Sequence, residues 1–180
     1  MRREAAARRA SVAHWDEADR ARTALLLREL ADCRTIACYA SLADEPGTWP
    51  VIETFHTSGA RVLLPVLRRE PDWAWYAGRE SLRPSWRGIA EPATPRLGAP
   101  ALAQAEAIVV PGLAGCVSGE RLGTGGGWYD RALGWASSSA PVILLLNEAD
   151  IVPYVPTDPW DRPVTVILTE SRRIDCAAQK

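Results

Sequence analysis

The chain has 180 residues, 21 basic and 22 acidic, for a formal net charge of -1, and is 47% hydrophobic and 24% charged. An apolar fraction this high excludes disorder for most of its length, and the balanced charge gives no overall field to draw a nucleic-acid backbone. Its longest pure apolar runs, such as Val142–Leu146, fall far short of the ~18–20 residues of a membrane span, so neither nucleic acid nor membrane is expected as a partner.

The length fits one domain over residues 1–180, with an N-terminal helical arm to about residue 31. Met1–Ala13, rich in Ala and Arg, is predicted helical. Asp16 is the expected cap of a second helix over Ala18–Ala31, with Leu25, Leu26, Leu27 and Leu30 as its stripe. The period then changes, and Thr35–Tyr39 reads as a strand. Asp44-Glu45-Pro46-Gly47 is a turn, after which Thr48 is positioned to cap a helix ending at Gly59. Arg61–Val66 is a strand, and Asp72–Tyr76 another, with Trp73 and Trp75 on one face. The proline-rich stretch Pro84–Pro100 reads as loop. Ala107–Val110 is a buried-type strand, Trp128–Trp135 a helix, and Val142–Leu146 and Val164–Thr169 are strands; the last residues are expected to fray. The alternation predicts a three-layer α/β domain, with a mostly parallel central sheet and helices on both faces. Ligands gather at the carboxyl ends of such strands.

Cys33, Cys38, Cys116 and Cys176 have no CxxC spacing, and His14 and His56 sit near neither each other nor a cysteine pair, which argues against zinc. Met1–Arg9 is basic, with no apolar segment of a signal peptide behind it, so a cytoplasmic protein with free thiols is expected. Only one cation is a lysine, Lys180.

The richest segment is Gly119-Glu-Arg-Leu-Gly-Thr-Gly-Gly-Gly-Trp-Tyr-Asp-Arg131, which follows a buried strand and opens a helix. Its glycines let the backbone approach an anion, and successive amides and a helix start would point at it. Arg121 and Arg131 add guanidinium forks. Asp130 suits either a first-turn helix charge or a magnesium ligand beside phosphate. The pattern is neither the P-loop nor the dinucleotide fingerprint, and a flexible turn is the plain alternative.

That run, preceded by Pro111-Gly-Leu-Ala, resembles the signature of the 5-formyltetrahydrofolate cyclo-ligases. Further segments are similar to the family's in the same order: Glu45-Pro46, Gly59–Val66, Gly88-Ile-Ala-Glu91-Pro92 and Val155–Thr169. The resemblance spans about Arg8 to Glu170. It implies a monomeric enzyme that uses ATP and Mg2+ to close 5-formyltetrahydrofolate into 5,10-methenyltetrahydrofolate, releasing ADP and phosphate. It implies nucleotide contacts from Arg2, Arg3, Arg121, Gly123, Thr124, Gly125, Gly126, Gly127, Trp128, Tyr129 and Asp130. Tyr129 and Arg131 would serve the reacting groups, Ala40, Glu45 and Trp75 the folate, and Asp130 and Asp161 the metal.

The chain departs from the family pattern in places. The first-helix lysine that reaches the ATP phosphates is absent, leaving Arg2, Arg3, Arg8 and Arg9 as the cations there. The usual Phe-Asp is Gly115-Cys116, and Trp160 replaces the histidine before Asp161. Two other readings stay open: a folate- or nucleotide-binding relative with reduced or no turnover, favoured by the missing lysine, and a different phosphate-binding α/β enzyme of sugar-phosphate isomerase type, disfavoured by Glu45-Pro46 and Glu91-Pro92.

Overall fold

In chain order the elements are α1 (Arg2–Ala10), α2 (Trp15–Glu29), β1 (Thr35–Ala37), α3 (Trp49–Thr57), β2 (Arg61–Pro65), β3 (Trp73–Trp75), β4 (Leu82–Pro84), β5 (Ala90–Pro92), β6 (Ala107–Val110), β7 (Ala114–Gly115), β8 (Arg121–Leu122), α4 (Trp128–Leu133), β9 (Val142–Leu145), β10 (Val166–Leu168) and β11 (Arg173–Asp175). The computed structural model describes residues 1–10, 15–85 and 88–176. Seven strands form one sheet in the order β11-β10-β9-β6-β1-β2-β3. The five inner strands are parallel, while β3 and β11 run antiparallel at the two edges.

The β-branched and leucine-rich runs lie inside because both sheet faces are covered. On one face Leu26 of α2, Leu30 just after it, and Val51, Ile52 and Phe55 of α3 pack on Ile36, Val62, Leu64, Val109 and Ile143. On the other, Ala132 and Leu133 of α4 and Ala101 and Leu102 of a 3-10 turn pack on Ala37, Leu63, Ile108, Val110 and Leu144. The alternation along each strand sends neighbouring residues to opposite faces. β1 lies between β2 and β6, so the chain winds one way from β1 to β2 and the other way from β6 to β10. The crevice at such a reversal, beyond the carboxyl ends of β1 and β6, is where an open α/β sheet takes its ligands.

Several expectations change. Asp16 lies inside the first turn of α2, which begins at Trp15; Ser11–His14 lie outside the described residues. Thr48 precedes α3 without capping it through its side chain. Its hydroxyl instead donates to the Tyr39 carbonyl at 2.6 Å, and so ties the end of β1 to the start of α3. The Pro84–Pro100 stretch is not all loop: β4 and β5 pair antiparallel, their prolines permitted because only two short strands meet there. β7, just before the glycine-rich stretch, and β8, inside it, form a second small ribbon. The chain after Thr169 carries β11, held on β10 and by a bidentate Arg173–Glu29 pair at 2.7 and 3.1 Å; residues 177–180, where fraying is expected, lie outside the described residues.

Candidate active site

Three segments reach the switch-point rim. The first leaves β1 through buried Tyr39 and Ala40 into the Glu45 turn. The Glu45 carboxylate accepts the Leu42 amide at 3.0 Å and so folds the turn on itself. Tyr39 donates to the Pro46 carbonyl. A cleft of about 400 Å³ opens here, lined by Glu45, Asp19, Ser41, Gly47 and Trp49 among others.

The second segment is the glycine-rich stretch, which leaves β8 and enters α4. Gly125 and Gly127 take left-handed φ values of 102° and 61°. A side chain at Gly125 would lie 3.4 Å from the Arg2 guanidinium carbon. Arg2 reaches over from α1 and donates to the Gly123 carbonyl at 3.1 Å. Arg131 donates to the Gly126 carbonyl and to the Arg69 carbonyl, both at 3.1 Å, and so ties the stretch to the segment after β2. Glu91 holds that same segment from the family-like turn: it is buried and accepts the Leu67 amide at 2.8 Å and Arg68 at 3.3 Å.

Arg121, only 5% exposed, donates to Asp130 at 2.8 Å, and its guanidinium carbon lies 5.8 Å from the centre of the Tyr129 ring. Its Nε is buried with no hydrogen-bond partner. Tyr129 packs against both sheet faces. Burial, with Glu45 and Cys38 as acidic neighbours, pushes its phenol well above the ordinary range, and Arg121 pulls the other way. Thus the structure brings Glu45, Tyr129, Arg121 and Asp130 together, although 84 positions separate the first two in the sequence.

The third segment is the turn before β10. The Arg162 amide donates to Asp130 at 3.4 Å, which sets neighbouring Asp161 at the same corner. Asp161 itself accepts the Asp158 amide at 2.8 Å. Among the described residues no group of three His, Cys, Asp or Glu side chains is arranged to hold a metal.

Other expected residues lie elsewhere. Trp75 pairs with Leu63 on the edge strand, and its ring stacks under Arg61 at 4.5 Å, so it sits toward the amino end of β2 and away from the crevice. The aromatic wall that does reach Tyr129 runs from Trp73 through Trp128, with ring centres 5.4 and then 4.9 Å apart. Arg3 is exposed on α1, whereas Thr124 and Gly126, also exposed, lie within the glycine stretch itself. Sequence reasoning missed Arg22, Asp19 and Trp49. The signal for Arg22 was present: it lies four residues before Leu26, on the stripe that faces the sheet.

The fold and this rim define a doubly wound α/β protein whose polar loops converge at one strand switch point. The chain belongs to the 5-formyltetrahydrofolate cyclo-ligase family, whose profile matches residues 1–170, and it is accordingly an enzyme of the ligase class. It is 36% identical over 148 residues to the 5-formyltetrahydrofolate cyclo-ligase of Mycolicibacterium smegmatis, covering 78% of this chain and 76% of the relative. It is 30% identical over 145 residues to that of Escherichia coli, covering 77% and 79%. The solved structure of Aquifex aeolicus 5,10-methenyltetrahydrofolate synthetase shares the fold, with a TM-score of 0.83 at 22% identity, covering 99% of this chain and 92% of the other.

Proposed function

We propose that the protein converts 5-formyltetrahydrofolate to 5,10-methenyltetrahydrofolate, with ATP converted to ADP and phosphate. The observation that carries the reading is the convergence of Glu45, Tyr129 and the arginine-lined glycine stretch at one rim. The nucleotide supplies the phosphoryl group that turns a poorly leaving formamide oxygen into a competent one. Positioning and charge neutralisation carry such transfers, so no protein nucleophile is needed.

The residues suit phosphate. Gly123–Gly127 offer a backbone with little side-chain bulk; a Cβ added at Gly126 would meet nothing within 4 Å. Arg2 and Arg131 flank the stretch, and the unpartnered Nε of Arg121 is a buried donor beside it. Magnesium takes one or two carboxylates plus substrate phosphates; Asp130 and Asp161, the latter next to the Arg162 amide that meets Asp130, are the carboxylates that would hold it. Tyr129, held protonated by its burial, donates a hydrogen bond near the reacting formyl group and does not act as a base. Glu45 orients the N–H groups of the pterin from the cleft, with Ala40 at its back. Trp128, half-buried and edge-on to Tyr129, is the better aromatic wall than Trp75, with Trp73 buried behind it.

Monomeric, cytoplasmic action belongs to the same reading. All four cysteines are free thiols, and no helix of the described residues is long and apolar enough to cross a membrane. The test follows near-ultraviolet absorbance of the product's conjugated amidine, with and without ATP and magnesium. Product that requires both supports the reading. Folate binding without product assigns the chain to a binding relative that has lost turnover.

A further inference from the structure

Arg22 is the one fully buried cation among the described residues, with no solvent exposure, and it shares the buried side of α2 with Leu26. A guanidinium taken from water must be matched by acceptors, or its desolvation costs several kcal/mol. Arg22 donates to Asp19 at 2.7 Å, to Glu170 at 2.9 Å, to the Asn147 side-chain oxygen at 2.9 Å and to the Leu146 carbonyl at 3.4 Å. Three of these acceptors lie just beyond the carboxyl ends of β9 and β10. The fourth, Asp19, faces the cleft.

The Asp19 oxygen that takes Arg22 also accepts the Gly47 amide at 3.0 Å. Gly47 is two residues after Glu45. A Cβ at Gly47 would lie 2.7 Å from the other Asp19 oxygen, so a side chain there would displace the Asp19 carboxylate from this joint. In the opposite direction Asn147 donates to Asp150 at 2.9 Å, and Asp150 lies 3.6 Å from the Arg8 Nε of α1. A continuous set of side chains therefore fastens the Glu45 turn to the sheet at one end and α1, which carries Arg2, at the other.

We propose that Arg22 and Asp19 are positioning residues of the enzyme: their ion pair fixes the Glu45 turn at the distance from Tyr129 that folate binding requires. The proposal rests on the folate reading above. Glue between a helix and a sheet would be met by acceptors on the sheet alone. Here one arm of the guanidinium is directed through Asp19 to the backbone of the turn that carries Glu45. Arg22 is too deep to touch a ligand, so any effect of it on folate affinity runs through Asp19 or the sheet ends.

The test measures dissociation constants of 5-formyltetrahydrofolate and of ATP by calorimetry, for the wild type, Arg22→Lys, Asp19→Asn and the double variant. Thermal unfolding is recorded for each. Lysine keeps the charge but loses the fork; asparagine keeps the shape but loses the charge. Each single variant is expected to weaken folate binding about tenfold, the loss of one charged hydrogen bond. ATP binding stays within about twofold, and the double variant is no worse than the weaker single one, because both break the same joint. Equal weakening of both ligands, or additive losses in the double variant, would overturn the proposal, as would lowered melting temperatures with unchanged folate affinity. If Arg22→Lys does not fold, Asp19→Asn alone decides between these outcomes. A wild type that binds ATP but no 5-formyltetrahydrofolate removes the folate reading itself, and this proposal falls with it for that separate reason.

Discussion

The Tyr129 phenol stays protonated because burial and two acidic neighbours disfavour its anion. Its folded pKa is raised, so the stability it contributes is full below the ordinary tyrosine value of ~10 and is lost as pH rises above it. Turnover should accordingly show no inflection from Tyr129 between pH 7 and pH 9. Tyr129→Phe should lower kcat on the order of 100-fold, with the packing against Trp128 retained. An inflection below pH 9 in the wild type that vanishes in the Phe variant would instead make Tyr129 a base. Asp130 carries two duties. Sequence alone makes Asp130→Asn an activity change with little effect on unfolding. The structure adds the nearly buried Arg121 pair at 2.8 Å. Weakening it should cost about 1–3 kcal/mol, a fall of roughly 2–10 °C in a chain of this size, alongside the loss of turnover. Differential scanning calorimetry and the absorbance assay on one preparation separate the two effects.

At the level of elements, the glycine stretch is not uniformly permissive. Gly125, at φ 102°, faces the Arg2 guanidinium, whereas Gly126 has open space around its would-be Cβ and no left-handed φ. Gly125→Ala should therefore strain the backbone by about 1–3 kcal/mol and displace Arg2. Gly126→Ala should leave the melting temperature within a degree or two. Its effect on turnover would then report how closely phosphate approaches the backbone. If the two variants melted alike, the stretch would be a loose turn, with no shaped cradle. The sequence displayed the glycines but not this difference, because it depends on φ values set by the β7–β8 ribbon and by α1 lying across it.

For the whole molecule, carboxylates fasten the layers at several points. Glu106 accepts the amides of Arg34 and Thr35 at 2.6 and 2.8 Å, holding the entry to β1. Glu148 accepts Arg172 and Thr169 beyond the carboxyl ends of β9 and β10. Backbone amides lower the pKa of Glu106, and the Arg172 guanidinium chiefly lowers that of Glu148. Depressed carboxylates contribute stability above their unfolded value, and that stability is lost as pH falls through the folded one. The melting temperature should thus hold between pH 7 and pH 5 and drop below about pH 4.5. Replacing Glu106 and Glu148 with Gln should flatten that drop; an unaltered acid profile would show that other groups govern it.

The sequence by itself determined the parallel strands, because runs such as Ala107–Val110 and Val142–Leu145 are apolar on both faces and need cover on both sides. It also displayed the Gly119–Arg131 segment and Glu45, whose residue types and order carry the family resemblance. Tertiary structure decided what depends on partners distant in the chain. Trp75 and Trp73 alternate identically in sequence, yet edge pairing with β2 sends one to Arg61 and the other toward Trp128. Arg22 reads as one more cation on a helix until β9 and β10 bring Asn147 and Glu170 to it across more than a hundred residues. The hairpin of β4 and β5 and the final strand β11 were hidden because three-residue strands carry almost no periodicity, and their pairing is supplied by the neighbour they meet.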